Sequence, residues 1–295
     1  MGSGYSRPTH CMERCPCRII HISTGSRRYY KNFFNFEGVR MSRPILSVLI
    51  AAYQAEATIH RAIDSVLVQP DTEVVVAPDD GSQEYMGLEI EYPGRVTVLA
   101  PSYRTGPGPA RNRAFAASAG AFVTMLDCDD YFATHALDQA LALARQSSRK
   151  IAFFRTVYIH DGTGVICREL PQSQTLSFEM FIDFHGSIHA LYPRAAWQAY
   201  SDHRISQDVL FDANMLLASD GAAPMTNAPH FKTIHPSSVT ASTDQAPINA
   251  EYALILKQET HPRIQQLFHE KLRLGKRFHQ VRSSGLTQSF HEFVR

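Results

Sequence analysis

Asp127-Cys128-Asp129-Asp130 places three carboxylates within four residues, directly after the apolar run Ala121–Leu126. Carboxylates crowded at a strand end repel one another unless a cation or a donor-rich ligand offsets them. Magnesium typically takes one or two carboxylates and completes its shell with phosphate oxygens and water. The string therefore points to a metal that bridges protein and a diphosphate. A solvated turn or a helix cap would explain the same residues without chemistry, since aspartate is common in both. A second pair, Asp79-Asp80, closes another apolar run and favours the ligand reading. Asp208 falls in the first turn of a helical pattern over Ser206–Ser219, where the helix dipole favours a carboxylate. His235 is a late histidine able to reach a diphosphate or a metal.

These groups need a scaffold, and the pattern from Met41 onward supplies one. Ile45–Ala51 reads as a buried strand. Ile59, Ala62, Ile63, Val66 and Leu67 recur on one helical face, predicting a helix over 56–68 that ends at Pro70. Strands follow at Thr72–Ala77, Val96–Leu99 and Ala121–Leu126, with a small-residue helix over 109–119 after Gly106-Pro107-Gly108-Pro109. A helix near 134–147 and a strand at Ile151–Ile159 come next. This βαβ order implies a mostly parallel sheet covered by helices. Ligands of such sheets bind outside the carboxyl ends of the strands. Tyr53–Glu56, Asp79–Ser82 and Asp127–Asp130 all sit at those ends. Further on, Asp161–Gly164 reads as a hairpin turn, Leu176–Asp183 as a short helix, and Ile188–Tyr192 as a strand before a helix opened by Pro193. From Ala246, helices dominate.

The ordered set of motifs resembles family 2 glycosyltransferases of GT-A fold. Ser47–Glu56 looks like their opening strand, Asp79–Ser82 like their second motif, and Gly108–Ala114 like their Ala-Arg-Asn helix start. Leu126–Tyr131 resembles their DxD motif, Gln207–Phe211 the later Glu-Asp motif, and His235–Thr240 the region after the last strands. The resemblance implies a Rossmann-like nucleotide-sugar sheet flanked by helices, with a C-terminal helical extension. It implies a nucleotide pocket of Ala51, Tyr53, Glu56, Asp79, Asp80, Arg111 and Asp127. It also implies a divalent cation, Mg²⁺ or Mn²⁺, at Asp129, Asp130 and His235, and Asp208 as catalytic base. The expected reaction is inverting transfer from a nucleoside-diphosphate sugar, a UDP-sugar foremost, to a saccharide or lipid-linked acceptor in surface polysaccharide assembly. His185 and His189 fall near the acceptor site. Gln207 departs from the family pattern, as it stands where a glutamate is usual. A nucleotidyltransferase is the runner-up, although Ala51–Glu56 lacks its Gly-rich, Lys-containing loop. A binding homologue without turnover is the non-catalytic alternative.

Composition bounds the reading. With 29 Lys+Arg against 28 Asp+Glu over 295 residues, no nucleic-acid partner is expected. The near-neutral total is uneven. Residues 1–40 carry seven basic and two acidic side chains, and 257–295 carry eight and three. Residues 1–40 read as a basic leader, disordered or foreign to the native chain. Residues 41–245 read as the transferase domain, split into a nucleotide-sugar half (41–131) and an acceptor half (132–245), and 246–295 as the helical extension. With no apolar run long enough to span a bilayer and five scattered cysteines, the expected location is cytoplasmic, with peripheral contact at the inner membrane face through the basic helices.

Overall fold

The apolar run after Pro44 folds as β1, Leu46–Ala52, and its alternation assigns its two faces to two cores. Leu46, Val48, Ile50 and Ala52 face one core, while Leu49 faces the other. Strand β2, Thr72–Pro78, divides in the same way: Val74 and Val76 go to one side and Val75 and Ala77 to the other. A strand buried on both faces is the mark of a parallel sheet between helices. This computed structural model describes residues 43–235, 244–284 and 290–294, all within the unit Met41–Arg295. The leader 1–40 and the Pro236–Thr240 part of the last motif lie outside the described residues.

Strands β1, β2, β3 (Val96–Val98) and β4 (Phe122–Met125) pair in parallel in the order β3-β2-β1-β4. Helix α1, Ile59–Leu67, covers one face through Ile59, Ala62, Ile63 and Val66. Between Ser82 and Arg95 only a 3-10 turn, Glu84–Gly87, and the one-turn α2, Leu88–Glu91, form. Helix α3 runs over Pro107–Ala117 and so starts two residues before the expected 109. Gly106, at φ 101, is its N-cap. Pro107 and Pro109 fall in the first turn, where an N–H has no helical acceptor to lose. Gly120 must be glycine, because a Cβ there would meet the Ser47 backbone nitrogen at 2.5 Å.

Past β4 the sheet becomes mixed. It continues through β9 (Ala190–Pro193), β6 (Ala152–His160), β10 (Ala222–Ile234) and the two-residue β5 (Tyr131–Phe132). Strands β7 (Ile166–Glu169) and β8 (Thr175–Ser177) pair with β6 and β10. Helix α4 spans Ala136–Gln146. Helix α5, Phe178–Phe184, starts two residues later than expected because Leu176 is drawn into β8 and Ser177 caps the helix through Met180 N–H. The helix expected after Pro193 is only a 3-10 turn, Arg194–Ala196, and Trp197 is extended at ψ 134. Trp197 stacks on Phe115 with ring centres 3.9 Å apart, so it is spent on packing. Helix α6 spans Gln207–Ala218. The long α7 (Gln245–Gln258) and α8 (Pro262–Ser283) contribute Ile248, Ile255, Ile264 and Leu267 to the same core as α3 and α6. A short α9 spans Phe290–Phe293.

Candidate active site

Parallel register sets the carboxyl ends of β1, β2 and β4 side by side, and the chain leaves each of them into a polar cluster. Near the end of β1, Ala51 is half-buried, and Tyr53 and Glu56 just after it are exposed. After β2, Asp80 accepts hydrogen bonds from Gln54 N–H (2.7 Å), Ser82 N–H (2.9 Å) and the Tyr85 hydroxyl (2.8 Å). Burial works against its charge, but those donors outweigh it and lower its pKa. The β1 and β2 loops are thus tied to one carboxylate.

Asp79 differs from the role the resemblance implies. It is buried, and its oxygens are taken up by Ser102 Oγ (2.7 Å), Thr105 N–H (2.9 Å), Thr105 Oγ1 and Gly106 N–H (2.8 Å). Its carboxylate fastens the loop that leads into α3 and presents no idle oxygen to a ligand. Helix α3 in turn carries Arg111, only 3% exposed. The Arg111 guanidinium pairs with Asp127 Oδ1, donates to Gln207 Oε1 at 3.1 Å, and lies 5.3 Å from the centre of the Tyr200 ring. Gln207 therefore supplies a neutral acceptor to an arginine whose charge Asp127 already balances.

The three aspartates after β4 part company. Asp127 Oδ2 accepts from Lys232 Nζ at 2.6 Å. Burial opposes its ionisation, yet Lys232 and then Arg111 hold its carboxyl well below the usual range. Asp129 Oδ2 lies 3.0 Å from His235 Nε2, with both side chains about a quarter exposed (29% and 26%). Arg61 of α1 fixes that turn by donating to the Asp129 carbonyl at 2.7 Å. Asp130 turns inward, away from the cation pair expected of it. Its Oδ1 accepts Thr233 N–H at 2.8 Å, and its Oδ2 lies 3.1 Å from Lys232 Nζ. Burial pushes its pKa up to about 7, Lys232 opposes this, and the charges of Asp129 and Asp127 add to the rise. One ammonium between two carboxylates fully matches only one of them.

Asp208 sits half-buried in the first turn of α6. Ligand atoms of Asp127, His189 and Asp208 all lie within 4.8 Å of one another. That trio has a metal-like spacing, but Lys232 already brings a cation to it, 3.2 Å from His189 Nε2. Asp129 and His235 present one carboxylate and one imidazole side by side, both donor types that a divalent cation accepts. At His185, Lys271 Nζ of α8 donates to the backbone carbonyl at 3.0 Å.

Three members of the site were not singled out for it in the sequence: Lys232, Arg61 and Asp212. Asp212, one turn after Asp208, is 1% exposed and bonds His189 Nδ1 at 3.1 Å. An i, i+4 repeat of aspartate on an otherwise apolar helix was the available signal.

The model described as Glycosyl transferase family 2 matches residues 47–196, about half the chain. A succinoglycan biosynthesis protein, ExoU of Rhizobium meliloti, is 30% identical over 142 residues, covering 46% of this chain and 42% of the relative. A UDP-Glc:alpha-D-GlcNAc-diphosphoundecaprenol beta-1,3-glucosyltransferase of Escherichia coli, WfgD, is 31% identical over 102 residues, or 34% and 40% of the two chains. The match thus spans about two fifths of the length of these relatives. Among solved structures, Staphylococcus aureus TarS 1-349 in complex with UDP-GlcNAc superposes with a TM-score of 0.59 at 20% identity, covering 77% of this chain and 71% of that one. A mannosyltransferase of Pyrobaculum calidifontis in complex with GDP-Man and Mn²⁺ superposes at 0.50 with 13% identity, over 84% and 77%. The likeness establishes the GT-A fold expected from the sequence.

Proposed function

The chain belongs to glycosyl transferase family 2, and from that premise we propose that it transfers a sugar from a nucleoside-diphosphate donor, a UDP-sugar foremost, to a saccharide or lipid-linked acceptor in surface polysaccharide assembly. The observation that carries the proposal is the approach of Asp208 to Asp127, which brings a helix-borne carboxylate up to the strand ends. The UDP-sugars named for the Escherichia coli relative and the TarS complex support the choice of donor.

Ala51, Tyr53, Glu56 and Asp80 form the nucleotide pocket, with Asp80 near the base or ribose. Asp79 acts at one remove by holding the loop into α3. Arg111 and Asp127 take the ribose, phosphate and sugar side, where a guanidinium suits an anionic ligand. Asp129 and His235 hold the divalent cation, which when bound neutralises charge on the departing diphosphate. Asp208 accepts the acceptor hydroxyl proton as that oxygen bonds to the anomeric carbon. The bond from that carbon to the diphosphate oxygen breaks on the opposite face, so the configuration inverts. Among the described residues no helix is long and apolar enough to cross a membrane. Contact with a bilayer runs through the exposed basic residues of α8.

A thermal-shift series with UDP-, GDP- and dTDP-sugars, each with and without Mn²⁺, identifies the donor, since a ligand well above its dissociation constant raises the melting temperature. Replacing Asp208→Asn is expected to cut transfer by about 100-fold to 10,000-fold while the donor shift persists. Persistent turnover would refute the base. No shift with any donor would favour a homologue that does not bind one.

A further inference from the structure

His189 and Asp212 form a buried contact that the proposed chemistry leaves unused. His189 is wholly buried, and its ring has a partner on each side. Nδ1 lies 3.1 Å from Asp212 Oδ2 on α6. Nε2 lies 3.2 Å from Lys232 Nζ on β10 and 3.6 Å from Asp127 Oδ2 after β4. The second oxygen of Asp212 accepts the Ala190 N–H of β9 at 3.1 Å, so this carboxylate grips both the start of β9 and the residue before it. Asp212 follows Asp208 by four residues, and residues so spaced share one face of a helix. Fixing Asp212 therefore fixes the rotation of α6, and with it the direction in which Asp208 points.

We propose that His189 and Asp212 are positioning residues that hold Asp208 in register with Asp127 through one imidazole that joins α6 to Lys232, whose ammonium binds Asp127 of the DxD loop. The inference rests on Asp208 being the base. The energetic reason is geometric: a reacting group displaced by about 1 Å loses on the order of 100-fold in rate. The base stands on a helix, and the donor-side carboxylate stands on a loop from another part of the sheet. Main-chain pairing alone does not set the distance between them.

The test uses the full chain with His189→Asn, His189→Gln, Asp212→Asn and the double variant His189→Gln/Asp212→Asn. Asparagine at 189 reaches about as far as Nδ1 and can keep the Asp212 bond, whereas glutamine reaches the Nε2 side. Expected are a fall in kcat of about 10-fold to 100-fold for Asp212→Asn and His189→Gln, a smaller fall for His189→Asn, and a donor dissociation constant within about 3-fold throughout. The acid limb of the pH–rate profile should move in Asp212→Asn, a readout that loss of packing alone does not give. The double variant should lie within about 3-fold of Asp212→Asn, because the two residues act as one unit. Independent multiplication of the single effects overturns the inference, as does kcat within about 3-fold of the parent in Asp212→Asn. If Asp212→Asn does not fold, the contrast between His189→Asn and His189→Gln decides alone. Asp208→Asn is run alongside. Turnover surviving that change removes the base itself, whereas its loss together with unaffected His189 and Asp212 variants removes only the bridge.

Discussion

Arg111 is the residue on which donor binding should turn. Its guanidinium is fixed on three sides, by Asp127, Gln207 and the face of Tyr200. Burial works against its charge, and Asp127 more than restores it. A lysine keeps the charge but loses the planar fork and the stacking. Arg111→Lys is therefore expected to weaken donor binding by about 10-fold with a smaller effect on the melting temperature, measured by calorimetric titration. Arg111, Asp127, Asp129, Asp208 and His235 can each be picked out of the sequence, because each belongs to a motif with a fixed neighbour. Lys232 cannot. A single lysine in a polar stretch reads as a surface residue, and its charge gains meaning only once β10 lies beside β6 and sets it against Asp127 and Asp130. Asp79 is the converse case: its place in a motif suggests a ligand contact, while four donors from Ser102–Gly106 converge on its carboxylate.

Among the elements, the strands buried on both faces were the easiest to read, because a short apolar run bounded by turns has few other uses. Strand β10 was the hardest. Pro224 and Pro229 interrupt its pattern, and its pairing with β6 shifts register between Met225 and Pro229. Tertiary pairing, not local propensity, makes it a strand. Helix α8 illustrates a different cost. It docks with Lys271 at 3% exposure, and that amine donates to the His185 carbonyl at 3.0 Å. Burial first, and then the nearby Arg168, pull its pKa down to about 7, with Asp208 opposing. In the unfolded chain the amine titrates near 10.4. Between those values the unfolded chain holds the extra proton, so stability contributed here rises with pH across that window and is lost as pH falls towards 7. Lys271→Met is therefore expected to raise the melting temperature most at about pH 6.5 and progressively less towards about pH 9.5. Equal gains at both values would show that the amine is not the source.

At the scale of the whole molecule, charge is separated along the chain rather than absent. We propose that Met41 starts the folded unit, so a chain beginning there should keep its melting temperature and transfer activity. The remaining basic excess lies on α8. Lys276, Arg277 and Arg282 are exposed, whereas Arg273 is paired with Glu270 at 2.8 Å and Arg263 with Glu179 at 3.3 Å. The apolar residues of α8 are buried (Ile264, Leu267, Phe268, Leu274 and Phe278) or partly buried (Leu272 and Val281), so this helix exposes no broad apolar face to insert into a bilayer. Attraction to an anionic surface would then be electrostatic alone, at about 1 kcal/mol for each basic residue near the headgroups. Three such residues amount to roughly two orders of magnitude in partitioning, and the force falls off within a Debye length of about 8 Å at physiological salt. Binding to vesicles containing anionic lipid should therefore exceed binding to neutral vesicles, vanish as salt rises towards about 1 M, and be abolished by the pair Lys276→Glu and Arg277→Glu. Co-sedimentation with the two vesicle types measures this, and equal recovery with both would leave the lipid-linked acceptor to be met without help from α8.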